Sequence, residues 1–372
     1  MRKVPVDSLK PGMRVAKPIF DDRGTVLLNY GVELKEEYIK NLRKFKIPAV
    51  YIIDGITSDV WVEDVILDET RQKAKESVRC FYENIKHDPH NITGHSELKE
   101  VMDEIIEQLL SQKNLIVNLS DIKNADSYTF AHSVNVAVLT VIIAISMGYS
   151  KKELKKVGLG AFLHDLGKIK IPSTILNKQG TLLPQEFEEV KKHPVYGYDL
   201  LKMRDFMDSS SAVIVYQHHE RVNGDGYPNG LKEREINYAS KICSVVDVYD
   251  ALVSDRPYRP ALPPHKALQI LETGGEEFDL EILQKFFQHV AAYPVGTLLE
   301  LSTGEIGVVV NNTAGFPTRP KVRIICYGEN FEPVEYYEVD LVDRIDVVVE
   351  RVLSEEELPE RIKRGVEYKG ST

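Results

Sequence analysis

The sequence predicts a multi-domain chain: an all-α domain in the middle, a small α+β module before it and a small β-rich module after it. Three observations predict this layout. From about residue 114 to residue 292, apolar residues recur at helical spacing, and the segments are divided by Gly, Pro and Asn turns such as Gly148-Tyr149. After Tyr293-Pro294-Val295-Gly296 the period changes to two. Before residue 57, short β-like runs alternate with turn signals around one helical stretch. A length of 372 residues suits roughly two or three domains, and 43% apolar residues can fill a large core.

In chain order, residues 1–56 form the α+β module. Val26 to Leu28 and Ala49 to Ile53 read as strands, and Leu34, Tyr38, Ile39 and Leu42 share one face of a helix over Glu33 to Lys44. Residues 57–113 read as a helical extension, with helices over Trp61 to His87 and Leu98 to Leu110. Residues 114–292 are the main helical domain, and residues 293–353 the β-rich module. Its strands are expected at Thr297 to Leu301, Gly307 to Val310, Val322 to Tyr327, Tyr336 to Val339 and Ile345 to Val349. Residues 354–372 form a charged tail.

A net charge of -10 speaks against a broad basic surface for DNA or RNA, but leaves room for a small anion in a local basic pocket. Three scattered cysteines suit a reducing compartment, and no signal peptide is expected, since Val4 to Pro18 contains Pro5, Asp7, Lys10, Pro11 and Arg14 in place of an apolar run. The longest apolar run, Val134 to Met147, is too short to cross a bilayer and reads as a buried helix. The expected setting is the cytoplasm, with no membrane partner.

The chemistry lies in the middle domain. His164-Asp165 couples an imidazole with a carboxylate at the end of an apolar segment, a pairing that suits iron, zinc or manganese. His218-His219-Glu220 follows the apolar run Val213 to Tyr216. Two successive histidines there are costly to bury without partners, and a metal would satisfy them. Asp247 and Asp250 lie three apart on one face of an apolar helix. One as ligand and the other orienting a ligand histidine would be an ordinary arrangement. His132 opens an apolar helix and His193 precedes Pro194 at a helix start; for each alone, a structural hydrogen bond is an equal alternative. Together, His132, His164, Asp165, His193, His218, His219 and Asp247 make seven N/O ligands. That is too many for one metal and fitting for two with Asp165 between them, a centre suited to phosphodiester hydrolysis.

His164-Asp165 with Gly167-Lys168 resembles the signature of the HD phosphohydrolase superfamily. His218-His219-Glu220-Arg221 with Gly224-Asp225-Gly226-Tyr227-Pro228 resembles that of its HD-GYP subgroup. The resemblance implies an all-α HD-type catalytic domain with two or three iron ions, or manganese in their place. It implies hydrolysis of cyclic di-GMP to linear pGpG by a bridging hydroxide, sometimes onward to GMP. It assigns the seven residues above as metal ligands, with Asp165 bridging. Lys168 would hold a nonbridging phosphate oxygen, Asp250 would stand behind the ligands, and Arg256 and Arg259 would contact phosphate or guanine. Tyr227 and Gly226 would belong to the loop facing substrate, with Gly226 taking a positive φ. Members that hold a third metal have a glutamate where this chain has Tyr128, so two metals are expected. Asn223 stands where the loop often has Asp. Glu220 is expected to orient a neighbouring group or to cap the loop rather than to bind metal. Residues 1–56 resemble, more loosely, a module found before some HD-GYP domains. A homodimer or a signalling partner protein is left open. The alternatives are an enzyme for another cyclic dinucleotide, or a cyclic di-GMP receptor with little turnover.

Overall fold

The computed structural model describes residues 1–21, 24–45, 47–53, 57, 59–61, 64–88, 93–112, 114–118, 128–202, 207–254, 261–327 and 333–357. The expected order of an α+β start, a helical middle and a β-rich end is the order observed. The chain divides into two compact units. One comprises Met1–Asp64, Ile116–Asp126 and Val290–Thr372; the other comprises Val65–Leu115 and Ser127–His289.

The first unit begins with β1 (Arg2–Pro5), β2 (Arg14–Val15), β3 (Ile19–Phe20), β4 (Val26–Leu28), α1 (Glu36–Lys44) and β5 (Ala49–Ile53). Strands β1, β5 and β2 pair antiparallel in that order, and β3 pairs with β4. Strands β1, β2 and β3 had no counterpart in the sequence reading: each is two to four residues long, too short to carry a period, and is defined by its pairing. Ile39 and Leu42 of α1 pack with Val4, Val15 and Val50. Later in the chain come β6 (Leu298–Leu301), β7 (Ile306–Asn311), β8 (Lys321–Tyr327), β9 (Pro333–Asp340) and β10 (Val349–Val352), an antiparallel sheet in the order β10-β6-β7-β8-β9. The last strand starts at Val349, where the sequence pattern expected one to end. Ile345 is exposed instead.

The two ends of the chain share a core. Ala16, Tyr51 and Val60 are buried with Leu299, Val309 and Val322. The Arg323 guanidinium donates to both carboxylate oxygens of Asp59, at 2.6 and 2.8 Å. Gly296 has φ +88°, and a Cβ there would lie 2.8 Å from the Met1 carbonyl oxygen, so a side chain would part the two segments.

The second unit holds α2 (Asp68–His87), α3 (His95–Ser111), α4 (Tyr128–Ser146), α5 (Lys151–Phe162), α6 (Ser173–Leu176), α7 (Pro184–Val190), α8 (His193–Lys202), α9 (Ser209–Gln217), α10 (Tyr238–Val253), α11 (Pro264–Thr273) and α12 (Leu280–His289). At its centre lies α4, packed against α2, α5, α10 and α12. Its 19 residues extend the apolar run by more than a turn at the N-terminal end. By length and composition alone α4 could cross a membrane, yet 78% of Thr129–Ser146 is buried inside the protein. A helix apolar on every face is a core helix when other helices enclose it.

Candidate metal centre

Local sequence places each ligand. Helix α5 starts on a capping box, with the Ser150 N–H donating to Glu153 at 2.8 Å. It ends at Phe162, so His164 and Asp165 fall in the turn that follows. Gly167 then makes a contact no other residue could. A Cβ there would stand 1.8 Å from the His193 carbonyl oxygen and 2.5 Å from the Gly197 nitrogen. A Cβ on Gly197 would in turn meet Val215 at 2.7 Å. These two glycines seat the His164-Asp165 turn on α8 and α8 on α9. That brings His193, at the start of α8, and His218-His219, at the end of α9, to Asp165.

The histidines are oriented through Nδ1. In His164 it donates to the Ala161 carbonyl, in His193 to Val190 and in His218 to Val215, each at 2.8 Å and each three residues back. Carbonyls in the last turn of a helix lack intrahelical partners and are free to accept. His132 sits inside α4, where the helix uses its carbonyls. Its Nδ1 instead meets Asp250 Oδ2 at 2.7 Å. With Nδ1 carrying the proton in all four rings, Nε2 is the atom each turns to the centre, where it offers a lone pair once it carries no second proton.

Those lone pairs converge. His132 Nε2 lies 3.2 Å from His164 Nε2, and His193 Nε2 lies 3.2 Å from His218 Nε2. Asp165 lies between the pairs: Oδ2 is 3.4 Å from His164 and 3.8 Å from His132, and Oδ1 is 3.4 Å from His193 and 4.0 Å from His218. Asp247 Oδ1 is 3.1 Å from His132, and its Oδ2 is 3.8 Å from His219 Nδ1. The seven side chains make two donor groups, His132 with His164 and Asp247, and Asp165 with His193, His218 and His219. Asp165 Oδ1 is buried with no hydrogen-bond donor. Facing acceptors at these distances have no hydrogen-bonding solution without added protons, whereas a cation between them satisfies both sides. The mixed imidazole and carboxylate set fits borderline divalent ions such as iron or manganese.

The electrostatics agree. Burial lowers His193 to about 4, and burial with neighbouring rings holds His218 and His219 well below their ordinary value, so all three are neutral at pH 7. Burial opposes ionisation of Asp165, but Lys168 and the His164 ring outweigh it and hold the carboxyl well below the usual range. Asp247 is likewise held low against its burial, chiefly by the His132 hydrogen bond. Burial also disfavours charge on His132, but Asp247 and Asp250 outweigh it and lift the ring up to about 9. A metal on Nε2 would displace that proton.

Around the ligands, Lys168 Nζ lies 2.6 Å from Asp165 Oδ2, with 34% of its side chain exposed. Asp250 Oδ1 accepts from Asn135 Nδ2 at 3.1 Å, and Asn135 Oδ1 accepts from Arg71 Nη1 at 2.9 Å. The sequence reading missed Asn135 and Arg71. Asn135 had a signal, a polar residue one turn from His132 in an apolar run; Arg71 had none. Of the two roles expected of Glu220 it takes the second and caps the loop after His219: its two oxygens accept from Asn229 and Leu231 N–H at 2.9 and 2.8 Å. The Tyr227 ring stacks on His219 at 4.6 Å. Gly226 does not take the positive φ expected of it; Gly224 does, at +91°. Gly226 is needed for another reason: a Cβ would stand 2.3 Å from the Arg221 nitrogen. Arg256 and Arg259 lie outside the described residues, as does the side chain of Tyr128.

Residues 104–282 match the HD domain model, and residues 298–361 match the KOW domain associated with HD domain. The cyclic di-GMP phosphodiesterase PA4108 of Pseudomonas aeruginosa is 32% identical over 269 residues, 72% of this chain and 64% of that protein. The cyclic di-GMP phosphodiesterase of Thermotoga maritima is 39% identical over 165 residues, 44% of this chain and 45% of that protein. The 3'3'-cGAMP-specific phosphodiesterase 3 of Vibrio cholerae is 38% identical over 146 residues, 39% of this chain and 31% of that protein. The chain contains an HD domain followed by the KOW domain associated with HD domains, and these relatives support its assignment to the HD-GYP type. It spans less than two thirds of the length of each of these three relatives. The match to the HD domain begins at residue 104, so α2 and Arg71 precede it.

Proposed function

We propose that the protein hydrolyses cyclic di-GMP to linear pGpG at a binuclear iron or manganese centre, with slow onward cleavage to GMP. The observation that carries this reading is Asp165, whose two oxygens face two separate sets of histidines. A metal pair there, when bound, would lower the pKa of a water and draw in a phosphoryl oxygen. The water's oxygen adds to phosphorus, the P–O3' bond breaks and the 3'-oxygen leaves with a proton, which gives a 5'-phosphate. Asp165 holds both metal positions, and Asp250 fixes the tautomer of His132. Lys168, beside Asp165 and partly exposed, neutralises a nonbridging oxygen. Tyr227 and Gly226 belong to the loop that walls the site. Arg256 and Arg259 are assigned to phosphate or guanine on the family pattern. The same reading gives a cytoplasmic protein whose ligand is a small nucleotide rather than DNA, RNA or a membrane.

A second reading is supported by the Vibrio cholerae relative: a 3'3'-cGAMP substrate. The two nucleotides carry the same phosphodiesters and differ in one base, so the metal centre does not discriminate between them. One experiment separates the readings. The purified protein, loaded anaerobically with iron or manganese, is given each nucleotide alone; products are resolved by chromatography and metal is counted on the same sample. Two metals with faster formation of pGpG support the proposal, and preference for 3'3'-cGAMP replaces it with the second reading. Two metals with binding but no turnover of either make the protein a receptor.

A further inference from the structure

We propose that Arg71 is a positioning residue for the metal centre, acting on His132 through Asn135 and Asp250. The inference rests on the binuclear reading above. It extends the working parts of the site to a helix outside the matched HD segment.

His164, His193 and His218 each take their orienting acceptor from a carbonyl three residues back. These are local contacts that survive as long as the local turn does. His132 lies within α4 and depends on tertiary structure for the same service. Its acceptor, Asp250, belongs to α10 and is fully buried. A buried carboxylate is held in one orientation only by the donors around it. Asp250 Oδ2 receives His132 Nδ1 at 2.7 Å and Ser254 Oγ at 3.3 Å; Oδ1 receives Asn135 Nδ2 at 3.1 Å.

A side-chain amide can turn over, and only one of its two orientations suits Asp250. With Oδ1 toward Asp250, two acceptors would face each other. Arg71 decides between them: its Nη1 donates to Asn135 Oδ1 at 2.9 Å, which leaves Nδ2 toward the carboxylate. Arg71 is 4% exposed and Asn135 1% exposed, so water does not compete for these groups. Helix α2, which carries Arg71, is fixed to α3 by Thr70 donating to Glu104 at 2.5 Å and by Gln108 accepting from the Leu67 N–H at 2.8 Å. From Arg71 to the centre the three hydrogen bonds, Arg71 to Asn135, Asn135 to Asp250 and Asp250 to His132, are all buried. The residue behind a ligand's orienting carboxylate acts on the metal through that ligand, so the effect falls on the His132 side of the centre. Asp165, His193, His218 and His219 take no part in it.

The test uses the full chain and Mn2+ alone. Wild type, Arg71→Met, Asn135→Ala and the double variant are titrated with Mn2+. Bound metal is counted by mass spectrometry, and electron paramagnetic resonance separates a coupled pair from a single ion. Arg71→Met is expected to weaken one of the two metals on the order of 10- to 100-fold and leave the other unchanged. At intermediate Mn2+ it then shows the single-ion spectrum where the wild type shows the coupled one. Arg71→Lys, which keeps a donor and a charge, is expected to recover part of the loss. In the Asn135→Ala background, Arg71→Met is expected to change the affinity no further. Two metals bound as in the wild type, or both weakened alike, overturns the proposal. So does an Arg71→Met effect that persists undiminished without Asn135. If Arg71→Met does not fold, Asn135→Ala and Arg71→Lys carry the same single-site comparison. Failure of the wild type to open cyclic di-GMP would remove the proposed activity without touching these metal affinities.

Discussion

Replacing Gly167 with alanine tests how the two donor groups are brought together. The new Cβ would lie 1.8 Å from the His193 carbonyl oxygen and 2.5 Å from the Gly197 nitrogen. Both are backbone atoms, so no side chain can swing aside. Ordinary contact begins near 3.4 Å, which requires the His164-Asp165 turn and the start of α8 to separate by 3.4 − 1.8 = 1.6 Å. Metal–ligand distances tolerate about 0.2 Å. His193 Nε2, now 3.4 Å from Asp165 Oδ1, would leave the range in which the two can share an ion. Overpacking of this kind costs about 3 kcal/mol when the obstruction cannot move. Gly275 is the control: it has no positive φ and nothing lies within 4 Å of its Cβ position, so Gly275→Ala is expected to leave stability and metal content near wild type. Thermal melting and metal counting on both variants check this. A Gly167→Ala protein with two metals and an unchanged melting temperature would refute the reasoning.

Three further outcomes follow from the same geometry. In metal-free protein, stability is expected to peak near pH 6.5. His193, lowered from 6.5 to about 4, subtracts stability as pH falls through that window, because the unfolded ring takes the proton first. His132, raised from 6.5 to about 9, contributes stability below 6.5 that is lost as pH rises to about 9. Melting temperatures of the chelated and Mn2+-loaded protein across pH 4 to 9 check both limbs, and bound metal should abolish the alkaline one. Asp165→Ala is expected to abolish turnover and lower metal content; retained rate with full metal loading would end its bridging role. Glu220→Ala strips the acceptor from two part-buried backbone N–H groups, at about 1 kcal/mol each. It is expected to lower the melting temperature and raise KM with metal content intact, and loss of metal would make Glu220 a ligand.

What could be read from the sequence was what is local. Strand β5 lies where the Ala49 to Ile53 pattern put it, and the three histidines at helix ends were visible because a helix end, a turn and a ligand are consecutive in the chain. Strands β1 and β2 were not visible, because two to four residues carry no period and pairing with β5 alone defines them. The core shared by Ala16, Tyr51 and Val60 with Leu299 and Val309 was equally hidden: each end of the chain alternates apolar and polar residues as though it closed on itself. The role of Gly226 was misjudged for a related reason. A glycine-rich loop shows that some residue needs unusual freedom, but only the fold tells a positive φ, at Gly224, from a close approach, at Gly226.

The same distinction explains why the centre has two kinds of support. A histidine at the end of a helix finds its Nδ1 acceptor in carbonyls that the helix leaves unused, so His164, His193 and His218 need no dedicated partner and leave a motif in the sequence. A histidine inside a helix finds none, and each group recruited to serve it is buried and needs a partner of its own. Asp250 serves His132, Asn135 serves Asp250 and Arg71 serves Asn135. Asn135 lies on the ligand's own helix, but Asp250 lies on α10 and Arg71, the last of the series, on α2, which no metal-binding motif includes. The half of the centre that contains His132 therefore depends on the packing of α2, α4 and α10 together. The half that contains His193 and His218 depends on two glycines and three turns.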